Sequence, residues 1–66
     1  MNVKNGQFRY WPGMYYLEQT DTLYELLYNG DVMSWDMDSN SIRIHYRFYG
    51  AFTLLVAPNA HYLGPV

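Results

Sequence analysis

The regular alternation of residues 41–48 constrains the fold of this chain more than any other feature of its sequence. Large apolar side chains occupy every second position, and polar side chains lie between them. The apolar set is Ile42, Ile44, Tyr46 and Phe48, and the polar set is Ser41, Arg43, His45 and Arg47. A period of two places the two sets on opposite faces of a β-strand. The sequence therefore predicts a half-buried strand here, and other segments must pair with it in a sheet.

Turn signals divide the rest of the chain into further strand candidates. These signals are Pro12-Gly13, Asn29-Gly30, Ser39-Asn40 and Pro58-Asn59. Short strands separated by turns at intervals of about ten residues are typical of antiparallel meanders, and small all-β domains protect their sheet edges by curling. We therefore predict an all-β fold, with five or six antiparallel strands curled into a small SH3-like barrel or a strongly curved sheet.

Residues 22–29 are open to two interpretations. Thr22 and Glu25 have the spacing of a capping box, and Gly30 suits the position after a helix, which together indicate a short helix and an α+β fold. Asn29 and Gly30 also form a strong hairpin signal, and a strand-like run follows them. We favour the hairpin, with the short helix as the alternative.

Two turns set the register of the predicted sheet. A two-residue loop at Asn29-Gly30 and a second tip at Ser39-Asn40 bring the large apolar side chains of three strands onto one face. That predicted face comprises Leu26, Met33, Trp35, Ile42, Ile44 and Tyr46. Residues 51–57 are apolar almost throughout, which predicts a following strand that is buried on both sides.

The chain is predicted to form a single domain over residues 1–66, because so short a chain buries too little surface for two cores. Residues 1–6 are polar and predict a loose lead-in, and residues 58–66 predict a C-terminal tail. Between them, Phe8–Trp11 and Met14–Glu18 flank a turn signal and predict a first hairpin.

Aromatic packing must stabilise this fold. The chain has no cysteine to cross-link a small core, and it has eight tyrosines, three phenylalanines and two tryptophans. An interior of this size cannot satisfy the hydroxyl of every tyrosine. Several tyrosines are therefore expected at the surface, where this residue is enriched in protein interfaces.

The charges are unevenly distributed along the chain. All six acidic residues lie between residues 18 and 38, and no basic residue interrupts them. Acidic and tyrosine side chains together predict a surface that binds a partner, since charge speeds encounter and aromatic contacts slow dissociation. The predicted partner-binding residues are Tyr15, Tyr16, Tyr28, Asp31, Asp36 and Asp38.

Two other kinds of partner are alternatives. A net charge of −2 with four Lys and Arg residues disfavours a dedicated nucleic-acid binder. Even so, Arg43, His45 and Arg47 repeat at strand spacing beside Tyr49, a pattern with which small barrels bind single-stranded nucleic acid. A homodimer that completes its own sheet is the other alternative.

Enzymatic activity, metals and cofactors are not expected. The predicted register brings Ser34, His45 and Asp36 to one polar face, which superficially combines a nucleophile, a base and an acid. A flat sheet face offers neither an oxyanion site nor a pocket for such a triad. His45 and His61 are the only histidines, and without cysteine no metal-ligand spacing is present.

The sequence therefore predicts a non-enzymatic protein-interaction module that occupies a surface of a larger protein or protein–nucleic acid complex. In size, acidity and aromatic content the chain resembles the small stand-alone inhibitors that bacteriophages encode. This resemblance implies a viral protein in the host-cell cytoplasm. No membrane association is expected, because no apolar run approaches the ~18 residues that a spanning helix needs.

Overall fold

A computed structural model describes residues 12–65 of the chain. Five antiparallel strands form one sheet in the order β4-β3-β2-β1-β5. The strands are β1 (Gly13–Leu17), β2 (Thr22–Leu26), β3 (Val32–Asp36), β4 (Ser41–His45) and β5 (His61–Gly64). A helix, α1 (Tyr49–Leu55), links β4 to β5, and 3-10 turns follow β1 at Glu18–Thr20 and α1 at Ala57–Asn59. The chain thus forms a four-stranded meander and then crosses one face of the sheet to place β5 beside β1.

The hairpin between β2 and β3 has a longer loop than the sequence analysis predicts. The backbone N–H of Leu27 donates to the carbonyl of Asp31 at 2.9 Å, which leaves residues 28–30 as the loop. Gly30 has a φ of +93°, and three-residue hairpin loops commonly place a left-handed residue at this point. The turn signal is therefore confirmed, but the predicted two-residue loop is wrong. The hairpin also excludes the alternative helix at residues 22–29.

The extra loop residue turns β2 over relative to the prediction. Leu26 pairs with Val32 instead of Met33, so its side chain lies on the opposite face from Met33. Leu23 and Glu25 lie on the Met33 side of the sheet instead. A one-residue change of register reverses every side chain of a strand, and this is why the predicted face is wrong at Leu26.

The hairpin between β3 and β4 keeps its predicted face although its register differs. Its turn spans residues 37–40 rather than only Ser39-Asn40, and the strand pairs move by two positions. A shift of two residues leaves each side chain on its face. The prediction that Met33, Trp35, Ile42 and Ile44 share an apolar face is therefore confirmed, whereas Tyr46 lies beyond the end of β4. This face is exposed and is not the core of the domain.

Residues 51–57, predicted as a buried strand, are helical instead. The N–H of Phe52 donates to the carbonyl of Phe48 at 2.8 Å, and the N–H of Val56 donates to that of Phe52 at 2.9 Å. These three residues recur every four positions and pack in the core, whereas Leu54 is 78% exposed. A short apolar run alone does not distinguish a strand from a helix. The four-residue period of the buried positions is the signal that does.

The fold is therefore one antiparallel sheet with a helix packed on it, and the all-β prediction is wrong at the helix. The sheet is neither closed nor strongly curled, and β4 and β5 form its two edges. The predicted barrel and strongly curved sheet are wrong because α1, rather than curvature, covers the apolar core side of the sheet. The prediction of a five-stranded antiparallel sheet is confirmed.

The predicted C-terminal tail contributes a strand. Within it, β5 pairs with β1, and the ring centroid of Tyr62 lies 4.9 Å from that of Tyr15. The predicted lead-in at residues 1–6 and the segment Phe8–Trp11 of the predicted first hairpin lie outside the described residues.

The core lies between the sheet and α1, and its centre is aromatic. Phe52 is fully buried, and its ring centroid lies 5.1 Å from Tyr15 and 5.5 Å from Tyr24. The rings of Phe52 and Tyr15 meet edge to face at 76°, a geometry that aromatic pairs favour. The buried apolar residues are Tyr15, Leu17, Leu26, Val32, Phe52 and Ala57.

Truncating Phe52 should remove most of the stability of the fold. Replacing a buried phenylalanine by alanine costs about 3–5 kcal/mol, and the core of so small a domain supplies a total of the same order. Denaturant titration followed by circular dichroism should show Phe52→Ala largely unfolded in buffer. Leu54→Ala, at an exposed position of the same helix, is the control and should change the free energy of unfolding by less than about 0.5 kcal/mol. Equal effects of the two substitutions would contradict this core.

Gly13 lies so close to β5 that a side chain does not fit there. A Cβ atom on Gly13 would lie 2.5 Å from the carbonyl oxygen of Gly64, and its φ of +153° is one that other residues rarely adopt. Gly13→Ala should therefore lower the free energy of unfolding by about 1–3 kcal/mol. Gly50→Ala, in α1 with open space around it, should raise it by about 0.5–1 kcal/mol. Thermal unfolding checks both, and an unchanged midpoint for Gly13→Ala would argue against this approach of β1 to β5.

Candidate protein-interaction surface

One face of the sheet, opposite the side on which α1 packs, exposes large apolar side chains, and we call it the open face. Its residues on β1–β4 are Met14, Tyr16, Leu23, Glu25, Met33, Trp35, Ile42 and Ile44. Trp35 is 39% exposed, Ile42 59% and Ile44 50%. Side chains of this kind scattered singly need no explanation, but a contiguous patch of them is typical of a binding site.

The open face consists of two rows of side chains that cross the strands. One row contains Tyr16, Leu23, Trp35 and Ile42, and the other contains Met14, Glu25, Met33 and Ile44. Opposed side chains on one face of a sheet have Cβ atoms about 4.5–5.5 Å apart, so each row is continuous. A shallow groove of about 260 Å³ lies along the two rows.

Trp35 is held in a defined position on this face. Its indole N–H donates a hydrogen bond to Oδ1 of Asn40 at 3.1 Å. Asn40 has a φ of +57° in the turn at residues 37–40, a conformation that asparagine tolerates better than most residues. An aromatic side chain that is oriented before binding loses little conformational freedom on contact. Trp35 therefore has the properties of an interface anchor.

Glu25 is the one charged side chain among the residues of the open face. It lies between Met14 on β1 and Met33 on β3, and it lines the groove. Within residues 12–65, its carboxylate has no hydrogen-bond or ion-pair partner. The residue as a whole is half-buried and has apolar neighbours, and covering its charge is favourable only if the charge gains a partner.

Three aspartates gather where the β1–β2 and β3–β4 turns lie side by side, and we call this the acidic end: Asp21, Asp36 and Asp38. The hydroxyl of Tyr16 donates to Oδ1 of Asp21 at 2.6 Å, and this hydrogen bond, with desolvation and the nearby negative charges, raises the pKa of Tyr16. The pKa of Asp38 is also raised, first by its hydrogen bond to Asp21 and then by the charge of Asp21, by desolvation and by Asp36. The acidic end therefore carries mutually repelling carboxylates at neutral pH.

The structure separates the residues of the predicted acidic, tyrosine-rich surface. Tyr16 lies on the open face and reaches the acidic end through Asp21, and the predicted aspartates Asp36 and Asp38 lie at that end. Tyr28, which is 90% exposed, lies in the turn at the opposite end of the strands. Tyr15 is 3% exposed and belongs to the core, so it does not reach a partner in this fold.

Asp31, also predicted to bind a partner, is used within the chain. Its Oδ1 accepts the backbone N–H of Arg47 at 2.8 Å, and its Oδ2 accepts a hydrogen bond from the side chain of Asn29 at 3.2 Å. These bonds tie the β2–β3 loop to the segment between β4 and α1. Asp31 thus has a structural part in joining two connections at this end of the sheet.

The residues of the alternative nucleic-acid surface are dispersed. Arg43 and His45 lie on the α1 side of β4, where Arg43 pairs with Ser34 across the strands. Arg47 lies in the turn that follows, with a φ of +52°. Tyr49 begins α1 and packs half-buried against the core. These side chains therefore do not form the continuous basic strip with an open stacking ring that strand spacing predicts.

Ser34 and His45 are in contact, although the strand partner of Ser34 is Arg43, but the acid is turned away. Oγ of Ser34 lies 2.8 Å from Nε2 of His45, and the imidazole packs against Phe48 with ring centroids 5.1 Å apart. Oδ1 of Asp36 instead accepts the backbone N–H groups of Asp38 and Ser39 at 3.0 and 3.4 Å. The carboxylate thus stabilises its own turn rather than orienting the imidazole, as a catalytic triad requires.

Within residues 12–65, no three His, Asp or Glu side chains converge in a way that could hold a metal ion. None of the helices in that range has the length and apolar character that a bilayer crossing requires. Comparison with known protein families, with curated proteins and with solved structures gives no match.

The apolar face predicted from the sequence does not include Met14, Leu23 or Glu25, which belong to the open face. The predicted two-residue β2–β3 loop is one residue too short, and it therefore places Leu23 and Glu25 on the opposite face. The signal that could have found them is the run of β3 and β4 itself, since an apolar face that crosses two strands continues onto its neighbours. Leu23 and Met14 extend that face across β2 and β1.

Replacing Asp38 by asparagine should stabilise the protein at neutral pH and not at acid pH. Because its pKa is raised in the folded state, ionised Asp38 opposes folding, and this cost grows as the pH rises through that pKa. Asparagine stays neutral and can still donate to Asp21. Thermal melts should show a higher midpoint for Asp38→Asn at pH 7, with the difference vanishing below about pH 4.

Asp31→Asn is the matched control for this pH series. Asp31 accepts two hydrogen bonds and faces Arg47 rather than other acids, so its substitution should lower the midpoint at pH 7. A lower midpoint for Asp38→Asn at that pH would contradict the repulsion at the acidic end.

Proposed function

We propose that this protein is a non-enzymatic protein-interaction module and that it binds its partner through the open face. The observation that carries the proposal is the exposure of Trp35, Ile42 and Ile44, between 39% and 59%, side by side on a flat sheet. Burying such surface is the main driving force of protein association. Contiguous apolar patches larger than a few hundred Å² are uncommon on proteins that bind nothing.

The composition of the open face suits a protein partner better than a small molecule. Aromatic residues and methionine are enriched in interface cores, and the face offers Trp35 with Met14 and Met33. Drug-sized ligands need pockets of about 300–1,000 Å³ that enclose most of their surface, whereas this groove measures about 260 Å³ and is shallow. A broad surface of a larger molecule can cover both rows at once.

The acidic end extends the proposed interface. Asp38 lies in the turn that also carries Asn40, the hydrogen-bond partner of Trp35, so its charge lies at one end of the apolar rows, whereas Asp36 faces the α1 side of the sheet. Charges at the rim of an interface mainly accelerate encounter and select partners. We extend the proposal to a small stand-alone inhibitor that covers a basic surface of a larger protein or protein–nucleic acid complex in the host cytoplasm, supported by the size and acidity of the chain.

The proposal is tested by capture with variants of the intact chain. Tagged wild-type protein, Ile42→Lys and Leu54→Lys are each incubated with nuclease-treated lysate of the native source. Ile42 is in the open face, whereas Leu54 is exposed on α1, so each substitution adds one charge at an exposed apolar site. Wild-type protein and Leu54→Lys should recover the same partner, and Ile42→Lys should lose at least about nine-tenths of it, as expected for a charge buried in an interface.

Circular dichroism of the variants confirms that the captured proteins are folded. Retention of the partner by Ile42→Lys, or its loss by Leu54→Lys alone, would contradict binding through the open face. A partner that is recovered from untreated lysate and lost after nuclease treatment would favour the alternative surface that contains Arg43 and Arg47.

A further inference from the structure

We infer that the partner of the open face is a protein segment whose apolar side chains flank a lysine or arginine, and that this cation pairs with Glu25 in the groove. The inference rests on the proposed function and specifies the chemistry of the partner. It is carried by the position of Glu25, by its lack of a partner within residues 12–65 and by the charge of its surroundings.

Glu25 has the central position of the open face. It lies on β2 with Met14 opposite on one side and Met33 opposite on the other. Leu23, two residues earlier on the same strand, shares its face. A partner that covers the groove must therefore cover the carboxylate as well, and it removes water from it.

The chain supplies no cation to this carboxylate within the described residues. Arg43 lies on the other side of the sheet, opposite Ser34, and Arg47 lies in the turn after β4. His61 is on β5, and its Nε2 atom lies 3.7 Å from Oε1 of Glu18 in the 3-10 turn after β1. Residues 12–65 therefore offer no positive charge to a covered Glu25, and charge complementarity favours a partner that brings one.

The energetic balance selects among partners. An apolar surface placed over Glu25 leaves a buried charge unpaired, which is among the most costly changes at an interface. A lysine or arginine turns the same site into a charge-assisted hydrogen bond in a water-poor groove. Arginine suits it especially well, because its stem packs on apolar neighbours such as Met14 and Met33 while its head reaches the carboxylate.

The open face of a second copy, as residues 12–65 form it, does not meet these requirements. Its open face presents another Glu25 and the same apolar rows, with no lysine or arginine among the residues of that face. Anionic surfaces such as phosphate backbones and acidic lipids are repelled by the same carboxylate and by the acidic end. Charge complementarity thus favours a cationic, otherwise apolar segment of another protein.

The test uses a library of random twelve-residue peptides displayed on phage and selected on the full-length protein. Peptides selected on wild-type protein should be enriched in Lys or Arg next to Leu, Ile, Phe or Trp. The selected peptides are then synthesised, and their affinities are measured by the change in tryptophan fluorescence. Glu25→Gln should weaken them by about tenfold to a hundredfold, the range expected for a hydrogen bond to a charged group, and Glu25→Lys should weaken them further.

Two control substitutions separate this inference from the proposed function. Ile42→Lys should abolish peptide binding, and Leu54→Lys should leave it unchanged. Peptides that lack basic residues, or that bind Glu25→Lys as well as wild-type protein, while still requiring Ile42, would overturn the inference and leave the proposed function standing. Failure to select any peptide that requires Ile42 would count against both.

The oligomeric state closes the test. Sedimentation equilibrium of wild-type protein and Ile42→Lys should give the monomer mass for both. A dimer of wild-type protein that Ile42→Lys dissociates would identify a second copy as the occupant of the open face and would overturn the inference. Glu25→Gln should melt no lower than wild-type protein, because it removes no contact within the described residues and it removes an unpaired charge.

Discussion

The ring of Phe52 packs against Tyr15 and Tyr24, and through this contact α1 is held on the middle of the sheet. Tyr62 joins the same cluster through Tyr15, so the strand that closes the chain depends on it as well. Each aromatic side chain buries about 150–250 Å², which matters in a chain that has no cysteine to cross-link it. The contact also determines what is left uncovered. Because α1 packs on one face only, the apolar side chains of the other face remain exposed, and the open face is a direct consequence of how the core is built.

The sheet could be predicted from the sequence as far as strand periodicity and turn signals reach. The alternation that begins at Ser41 gives β4, and the signal at Asn29-Gly30 gives the hairpin before it. What the pattern does not contain is the loop length, because Gly30 satisfies a two-residue loop as well as the three-residue loop that is present. This difference of one residue decides whether Leu26 or Glu25 faces Met33. The apolar residues of β3 and β4 could therefore be predicted to share a face, although not as a binding site, whereas the place of Glu25 on that face could not.

The helix was missed for a different physical reason. A run of apolar residues as short as 51–57 fits a buried strand and a short helix equally well, and β-branched residues are too few there to decide. Tertiary contacts favour the helix, since Phe52 and Val56 are four residues apart and both reach the core only in a helix. The acidic, tyrosine-rich surface was predicted from residues that are close in sequence. The meander places these residues at opposite ends of the strands. Residues that are close in sequence can be far apart in a meander, because successive turns lie at opposite ends of the strands.

The charge of Glu25 has two consequences for what can bind the open face. An exposed apolar sheet face invites stacking with further copies of itself, and natural proteins oppose such contacts with charged residues that point into the surface concerned. Two open faces brought together would enclose two unpaired carboxylates, at a cost of several kcal/mol for each charge. A segment with a lysine or arginine at the right position removes that cost instead of incurring it. Specificity is a difference between affinities, and one glutamate among Met14, Met33 and Leu23 generates that difference by lowering the affinity of the face for itself while raising it for a cationic partner.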